Sequence, residues 1–292
     1  MNLYEETQML LNQYGLKAKK KFGQNFLINR DIVTNIIEKA DITNNDTVLE
    51  IGPGLGTLTK ELIKVAKRVI AVELDEDMCD ILNSRFNADN LEIINADILK
   101  LDLNEYTKKY GKIKVVANLP YYITTPIIMK LLESNYDISE IVVMVQKEMA
   151  ERICSTKKDR ENSSITISIN YYAAPAIIID VPKDNFLPAP EVDSCVIKLT
   201  ILDKPPVELK DKEQFFKIVK FAFSQRRKTI LNSLSSGGYD KIELQRVFDE
   251  LNLDSKLRAE NLDIQDFANI ANKLWFITKL TNYYDGGWWS SQ

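Results

Sequence analysis

The chain has 292 residues, 45% of them hydrophobic and 27% charged, and carries a net charge of -4 at pH 7. That is enough for one large core with a smaller second one, and the composition excludes a disordered or fibrous protein. Histidine is absent altogether, which removes Ser-His-Asp triads, histidine general bases and histidine metal ligands. Any chemistry must therefore rest on a cofactor or on carboxylates, amides, lysines and tyrosines.

The opening residues, 1–13, are polar and acidic, unlike a signal peptide, and no apolar run approaches the roughly 18 residues of a membrane span. A cytoplasmic protein is expected. Periodicity predicts a helix over 5–14, followed by Lys19-Lys20-Lys21-Phe22-Gly23-Gln24-Asn25-Phe26-Leu27. Here the lysines can meet phosphates, while Gln24 and Asn25 are polar groups set between apolar anchors; in isolation the stretch is equally a surface loop. A helix over 30–40 follows, with Ile32, Val33, Ile36 and Ile37 at helical spacing.

The strand Thr47-Val48-Leu49-Glu50-Ile51 runs straight into Gly52-Pro53-Gly54-Leu55-Gly56 and a helix starting near Thr57. Glycines let the backbone approach a ligand closely, and free amides at a helix start favour negative or polar groups. The spacing is shorter than the dinucleotide fingerprint and favours a nucleotide cofactor without a pyrophosphate, although a purely structural strand-to-helix turn has the same form. The next strand, 69–72, ends at Glu73, about 20 residues beyond the glycines, where a carboxylate can accept bonds from both ribose hydroxyls of an adenosine. A third strand, 91–94, leads to Asp97, placed to bind the adenine amine of the same cofactor. The plainer reading of each acid is N-capping of the next helix.

The fourth strand, 115–117, stops at Asn118-Leu119-Pro120-Tyr121-Tyr122. In an open α/β sheet the ligand lies beyond the carboxyl ends of the strands. An Asn oxygen and the carbonyl just before a proline can accept two hydrogen bonds from one exocyclic amine, and a tyrosine ring can stack on a flat base. The plainer alternative is a strand end followed by a proline turn. A fifth strand, 141–145, completes the alternation of a doubly wound sheet. Beyond Ser163, residues 165–172 read as a strand or a buried helix, 177–181 and 195–199 read as strands, and Phe186 to Ser194 form a proline-stiffened loop. Pro205-Pro206 marks a linker, after which 214–223, 241–251 and 264–274 have helical patterns. The expected architecture is α/β: a Rossmann-like sheet domain over 1–202, a small helical domain over 203–275, and a tail over 276–292 to which no role is assigned. Cys79, Cys154 and Cys195 are far apart and suggest neither disulfide nor zinc, and no metal is expected.

Two dense basic runs, one at Lys17 and Lys19 to Lys21 and one at Arg226-Arg227-Lys228, leave room for a phosphate-tracking face on an acidic chain. A looser third, around Lys147, Arg152, Lys157, Lys158 and Arg160, is diluted by acids. A solvated charged face is the usual explanation of any one such run.

Gly23 to Leu27, Leu49 to Gly56, Asn118 to Pro126, Phe186 to Ser194 and Phe223 to Thr229 together resemble the KsgA-type dimethyladenosine transferases, in the same order along roughly 19–274. The resemblance implies an enzyme that uses S-adenosyl-L-methionine to dimethylate N6 of two adjacent adenosines near the end of small-subunit ribosomal RNA. It implies a monomer working on a small-subunit particle, with no membrane and no metal. Carried over by motif, it puts Asn25, Leu27, Gly52, Glu73, Asp97 and Asn118 around the cofactor, with Gln24 and Gly54 in the same segments. It puts Asn118, Leu119 and Tyr121 at the target amine, and Lys19, Lys20, Lys21, Arg226, Arg227 and Lys228 on RNA. Large-subunit adenine methylases of the antibiotic-resistance type, and an assembly factor acting mainly by binding, are the alternatives; Leu119 and Thr124-Thr125-Pro126 look more like the small-subunit enzymes. The chain departs from the family pattern at Asn162-Ser163, where a Tyr-Gly step is usual, and at Leu231, where a basic residue is frequent.

Overall fold

The computed structural model describes residues 1–16, 23–157 and 159–285, with side chains to residue 276. The chain divides into two compact units, Met1–Glu151 with Ala173–Ile201, and Arg152–Tyr172 with Leu202–Gln292.

The first unit opens with α1 (Leu3–Gln13), started by a reciprocal cap in which Asn2 Oδ1 accepts from the Glu5 amide and Glu5 accepts from the Asn2 amide. Glu6, on its buried side, binds Lys60 and Arg85 at 2.9 Å each. Strand β1 (Phe26–Leu27) precedes α2 (Arg30–Lys39), whose cap is Asn29 and whose buried stripe is Ile32, Val33, Ile36 and Ile37. Then strand and helix alternate: β2 (Thr47–Ile51), α3 (Thr59–Val65), β3 (Arg68–Glu73), α4 (Glu76–Arg85), β4 (Leu91–Asn95), α5 (Asn104–Tyr110), β5 (Ile113–Asn118), α6 (Thr124–Glu133), β6 (Ile138–Gln146) and α7 (Lys147–Ile153). After α8 (Ser164–Tyr172) come β7 (Ala173–Val181), β8 (Phe186–Leu187) and β9 (Ser194–Ile201).

Among the described residues seven strands form one sheet in the order β4-β3-β2-β5-β6-β9-β7. Strands β2 to β6 are parallel, and β9 is antiparallel to both β6 and β7. All five residues of β2 are buried, as expected of a parallel strand covered on both faces. From β2 the chain winds outward to β3 and β4, then returns to β5 on the opposite side of β2. The carboxyl ends of β2 and β5, paired as far as Ile51 with Ala117, therefore flank the crevice at which doubly wound sheets bind ligands. The short strand β1 pairs antiparallel with β8, Phe26 opposite Leu187, so the Gly23-to-Leu27 and Phe186-to-Ser194 segments meet.

The second unit is helical: α8, α9 (Lys212–Phe223), α10 (Ile230–Ser236), α11 (Lys241–Glu250) and α12 (Ile264–Asp285). Asp211, Thr229 and Asp240 cap the starts of α9, α10 and α11. Its core joins Phe215, Ile218, Phe248 and Phe267 to Ile167 and Tyr171. This corrects the expected border at 202: the segment 152–172 belongs with the helices, because α8 buries Ile167 and Tyr171 among them. The open choice over 165–172 resolves as helix. Leu231 packs against the same core, which explains an apolar residue at that position. The last helix runs past 274 to Asp285 and takes in part of the expected tail. No described helix is long and apolar enough to cross a membrane, and none of the three cysteines is in a disulfide.

Candidate active site

At the carboxyl ends of β2, β3 and β5 the loops enclose a cleft of about 1090 Å³, counting its open mouth. Gln24, Asn25, Leu27, Gly52, Gly54, Glu73, Asp97, Asn118, Leu119 and Tyr121 all line it. Residues spread over nearly 100 positions of sequence are thus brought together by the sheet register. Lys19, Lys20 and Lys21 lie outside the described residues, and Arg226, Arg227 and Lys228 are exposed on the turn between α9 and α10.

The glycine turn is built on backbone that side chains disfavour. Gly54 has φ +55°, and its amide donates to Glu73 Oε2 at 3.0 Å. Gly56 has φ +81°, and a Cβ there would sit 2.4 Å from the Phe86 ring, so only glycine fits. Glu73 is 8% exposed. Its Oε1 accepts from the Asp75 amide at 2.9 Å, so the carboxylate is fixed between two loops. Burial pushes its pKa up, against the pull of these amides. The cap of α4 is Asp75, not Glu73, which removes the plainer reading of Glu73. Asp97 keeps part of its plainer reading: Oδ1 accepts from the Leu99 amide at 2.9 Å and holds a turn, while Oδ2 is 3.6 Å from Lys100 Nζ.

Asn118 Nδ2 donates to the Asn25 carbonyl at 3.1 Å, which ties the end of β5 to the segment before β1 and leaves Oδ1 as the amide's acceptor. Leu119 is 2% exposed, so its side chain is an anchor and only its backbone can serve a ligand. Tyr121 lies on a single 3-10 turn, Tyr121–Ile123, that Pro120 starts. Its hydroxyl is 2.7 Å from Ser194 Oγ, a fully buried group, and this bond holds the ring in place. Tyr122, at 61% exposure, stands on the rim.

Sequence reasoning missed Glu50, which also lines the cleft. It is 1% exposed; Oε2 accepts from the Thr59 hydroxyl at 2.6 Å, and Oε1 has no partner. Burial lifts its pKa from 4.5 to about 8, with the Glu73 charge acting in the same direction and the Thr59 bonds against it. The available signal was a carboxylate inside an otherwise buried apolar strand, a costly placement that needs a reason.

A sequence profile described as ribosomal RNA adenine dimethylase matches residues 15–275. The chain belongs to that family. It is 42% identical over 277 residues to the ribosomal RNA small subunit methyltransferase A of Clostridioides difficile, covering 93% of this chain and 96% of the relative. It is 43% identical over 272 residues to the protein of the same name from Clostridium botulinum, covering 93% and 99%. A dimethyladenosine transferase from Plasmodium falciparum superposes with a TM-score of 0.72 at 28% identity, over 87% of this chain and 98% of that one. The 23S rRNA methyltransferase ErmE shares the fold, with a TM-score of 0.67 at 24% identity, over 86% and 99%. Members of this family are S-adenosylmethionine-dependent methyltransferases, and this chain is one. The cleft fits that cofactor: among the described residues its lining has the carboxyl groups Glu50, Glu73 and Asp97 and no lysine or arginine. Cationic groups are thereby favoured.

Proposed function

We propose that the chain methylates N6 of two adjacent adenosines in the 3'-terminal hairpin of small-subunit ribosomal RNA, working as a cytoplasmic monomer on a small-subunit particle. The observation that carries this reading is the Asn118 amide, oriented by the Asn25 carbonyl in the lining of the cleft and followed directly by Leu119-Pro120. The names of the Clostridioides and Clostridium relatives support the small subunit as the substrate.

Bound S-adenosylmethionine supplies an already activated sulfonium methyl, so the protein needs no strong base. Glu73 would take the ribose hydroxyls and Asp97 the adenine amine, Gly52 and Gly54 would admit the backbone to close contact, and Gln24, Asn25 and Leu27 would close the other wall. The adenine amine of the target is a poor nucleophile because its lone pair is delocalised into the ring. When Asn118 Oδ1 and the Leu119 carbonyl accept its two hydrogens, a pyramidal nitrogen with its lone pair free is favoured. Tyr121, held by Ser194, offers its ring to the base. An unpaired adenosine is the natural target, since a duplex hides the amine and extrusion costs a few kcal/mol. The second transfer starts from a monomethylated amine with one hydrogen fewer to donate, so that intermediate must turn or rebind. Lys19, Lys20, Lys21, Arg226, Arg227 and Lys228 track phosphates.

The test is methyl incorporation into purified small and large ribosomal subunits, with the modified bases mapped by mass spectrometry. Two neighbouring dimethyladenosines in small-subunit RNA are expected. Modification confined to the large subunit would overturn the reading.

A further inference from the structure

Among the described residues, those of α1 are absent from the lining of the cleft, and the helix lies ahead of 15–275, the stretch that the family profile matches. Its contacts nonetheless converge on the glycine turn that forms one side of the cleft. Glu6 is the hub. Its Oε1 accepts from Lys60 Nζ and from Arg85 Nη2 at 2.9 Å each, and Arg30 stands 3.8 Å from Oε2. Exposed ion pairs contribute little, but the Glu6 and Arg85 side chains are only 11% and 15% exposed. Burial works against the charge of Glu6, yet the hydrogen bond from Lys60 and the three nearby cations hold its pKa below the ordinary carboxylate value.

Both close cations flank the turn. Lys60 stands on the first turn of α3, into which the glycine turn leads. Arg85, at the end of α4, reaches further: Nη2 takes Glu6, while Nη1 donates to the carbonyl of Leu55, the middle residue of Gly54-Leu55-Gly56. The donors of a guanidinium form a rigid fork, so anchoring one of them sets the direction of the other. The same guanidinium lies 5.2 Å from the centre of the Phe86 ring, which occupies the space over Gly56. Apolar contacts run in parallel. Leu10 of α1 shares a small core with Leu55 and Phe26, and Phe26 both lines the cleft and lies against Gly54, where a Cβ would meet its ring at 3.3 Å. The Tyr14 and Ser84 hydroxyls, 2.7 Å apart, fasten the end of α1 to α4.

We propose that Glu6 is a positioning residue for S-adenosylmethionine: through Arg85 it fixes the Leu55 carbonyl and with it the glycine turn, so that α1 acts as a clamp behind the cofactor site. The inference rests on the reading of the cleft as that site, and adds to it an element from outside the stretch the family profile covers. Coupling between two sites is reciprocal, so a cofactor on one side of the turn must also steady α1 on the other.

The experiment follows hydrogen exchange of the full wild-type chain by mass spectrometry, with and without S-adenosylhomocysteine, well below the melting temperature. Peptides over 52–58 should be protected by the ligand directly. Those over 3–13 should slow as well, by about 3-fold or more, and by more than those over α5, which gauge general stabilisation. In Arg85→Met the gain over 3–13 should vanish, and calorimetric titration should show the ligand bound about 10-fold more weakly. Glu6→Ala should weaken it similarly, and the double variant no further than the worse single one, because the two act along one path. Protection of 52–58 with none over 3–13 in the wild type, which needs no variant to fold, would overturn the proposal, as would losses of affinity that add in the double variant. Failure of the cofactor reading appears separately, as absence of protection over 52–58 itself.

Discussion

Two buried carboxyl groups on neighbouring strands, Glu50 and Glu73, are both pushed up by burial but differ in what holds them. Glu50 ionises near 4.5 when exposed and near 8 in the fold. Between those values the folded protein holds a proton that the unfolded chain has lost, so the group's contribution to stability is fully present below about 4.5. It is lost as pH rises toward about 8. Glu50→Gln keeps an acceptor for Thr59 and removes the titration. In thermal unfolding without cofactor it should melt higher than wild type near pH 8.5, by up to a few kcal/mol of stability, with the gap closing toward pH 4.5. A gap independent of pH would show that Glu50 is ionised in the fold. Glu73 is held by the backbone amides of Asp75, Gly54 and Leu74, and on the proposed reading it serves the cofactor ribose. Glu73→Ala should weaken S-adenosylmethionine binding by about 1–3 kcal/mol, and calorimetric titration returning wild-type affinity would remove it from the site.

At the scale of elements, the glycine turn and the pairing of β1 with β8 set the shape of the cleft. Gly56→Ala combines a strained φ of +81° with a contact of 2.4 Å to Phe86, so a loss of about 2 kcal/mol or more is expected in urea unfolding. An unchanged midpoint would mean that the turn relaxes freely. The strands of the sheet were legible because buried parallel strands leave continuous apolar runs, and the residues at their ends could be assigned to a ligand from topology alone. What escaped depended on contacts distant in sequence. Residues 165–172 alternate as a strand does, but Ile167 and Tyr171 are buried by Phe215 and its neighbours across some 40 residues, and local pattern carries no record of that. Asn162 reads as a departure from a family motif, while its role in holding the Glu260 and Leu262 carbonyls is visible only in three dimensions. Glu50 was hidden within a motif that reads as glycines.

For the molecule as a whole, an acidic chain acts on a polyanion by concentrating its cations locally. Charge reversal at Arg226, Arg227 and Lys228 should weaken RNA association and flatten the slope of log affinity against log salt, with cofactor affinity little changed. An unchanged slope would assign the three to a solvated surface. The central claim is that the enzyme works by positioning an amine, with no titrating base. Single-turnover methyl transfer to small-subunit particles, on enzyme saturated with both substrates, tests it most directly. Glu50 titrates near 8 beside the cofactor site, so the pH profile is read on Glu50→Gln, whose rate should be nearly flat between about pH 6.5 and 8.5, and Asn118→Ala should fall about 10²-fold or more while remaining folded. A steep pH dependence that persists in Glu50→Gln, or a near-normal rate for Asn118→Ala, would contradict the account.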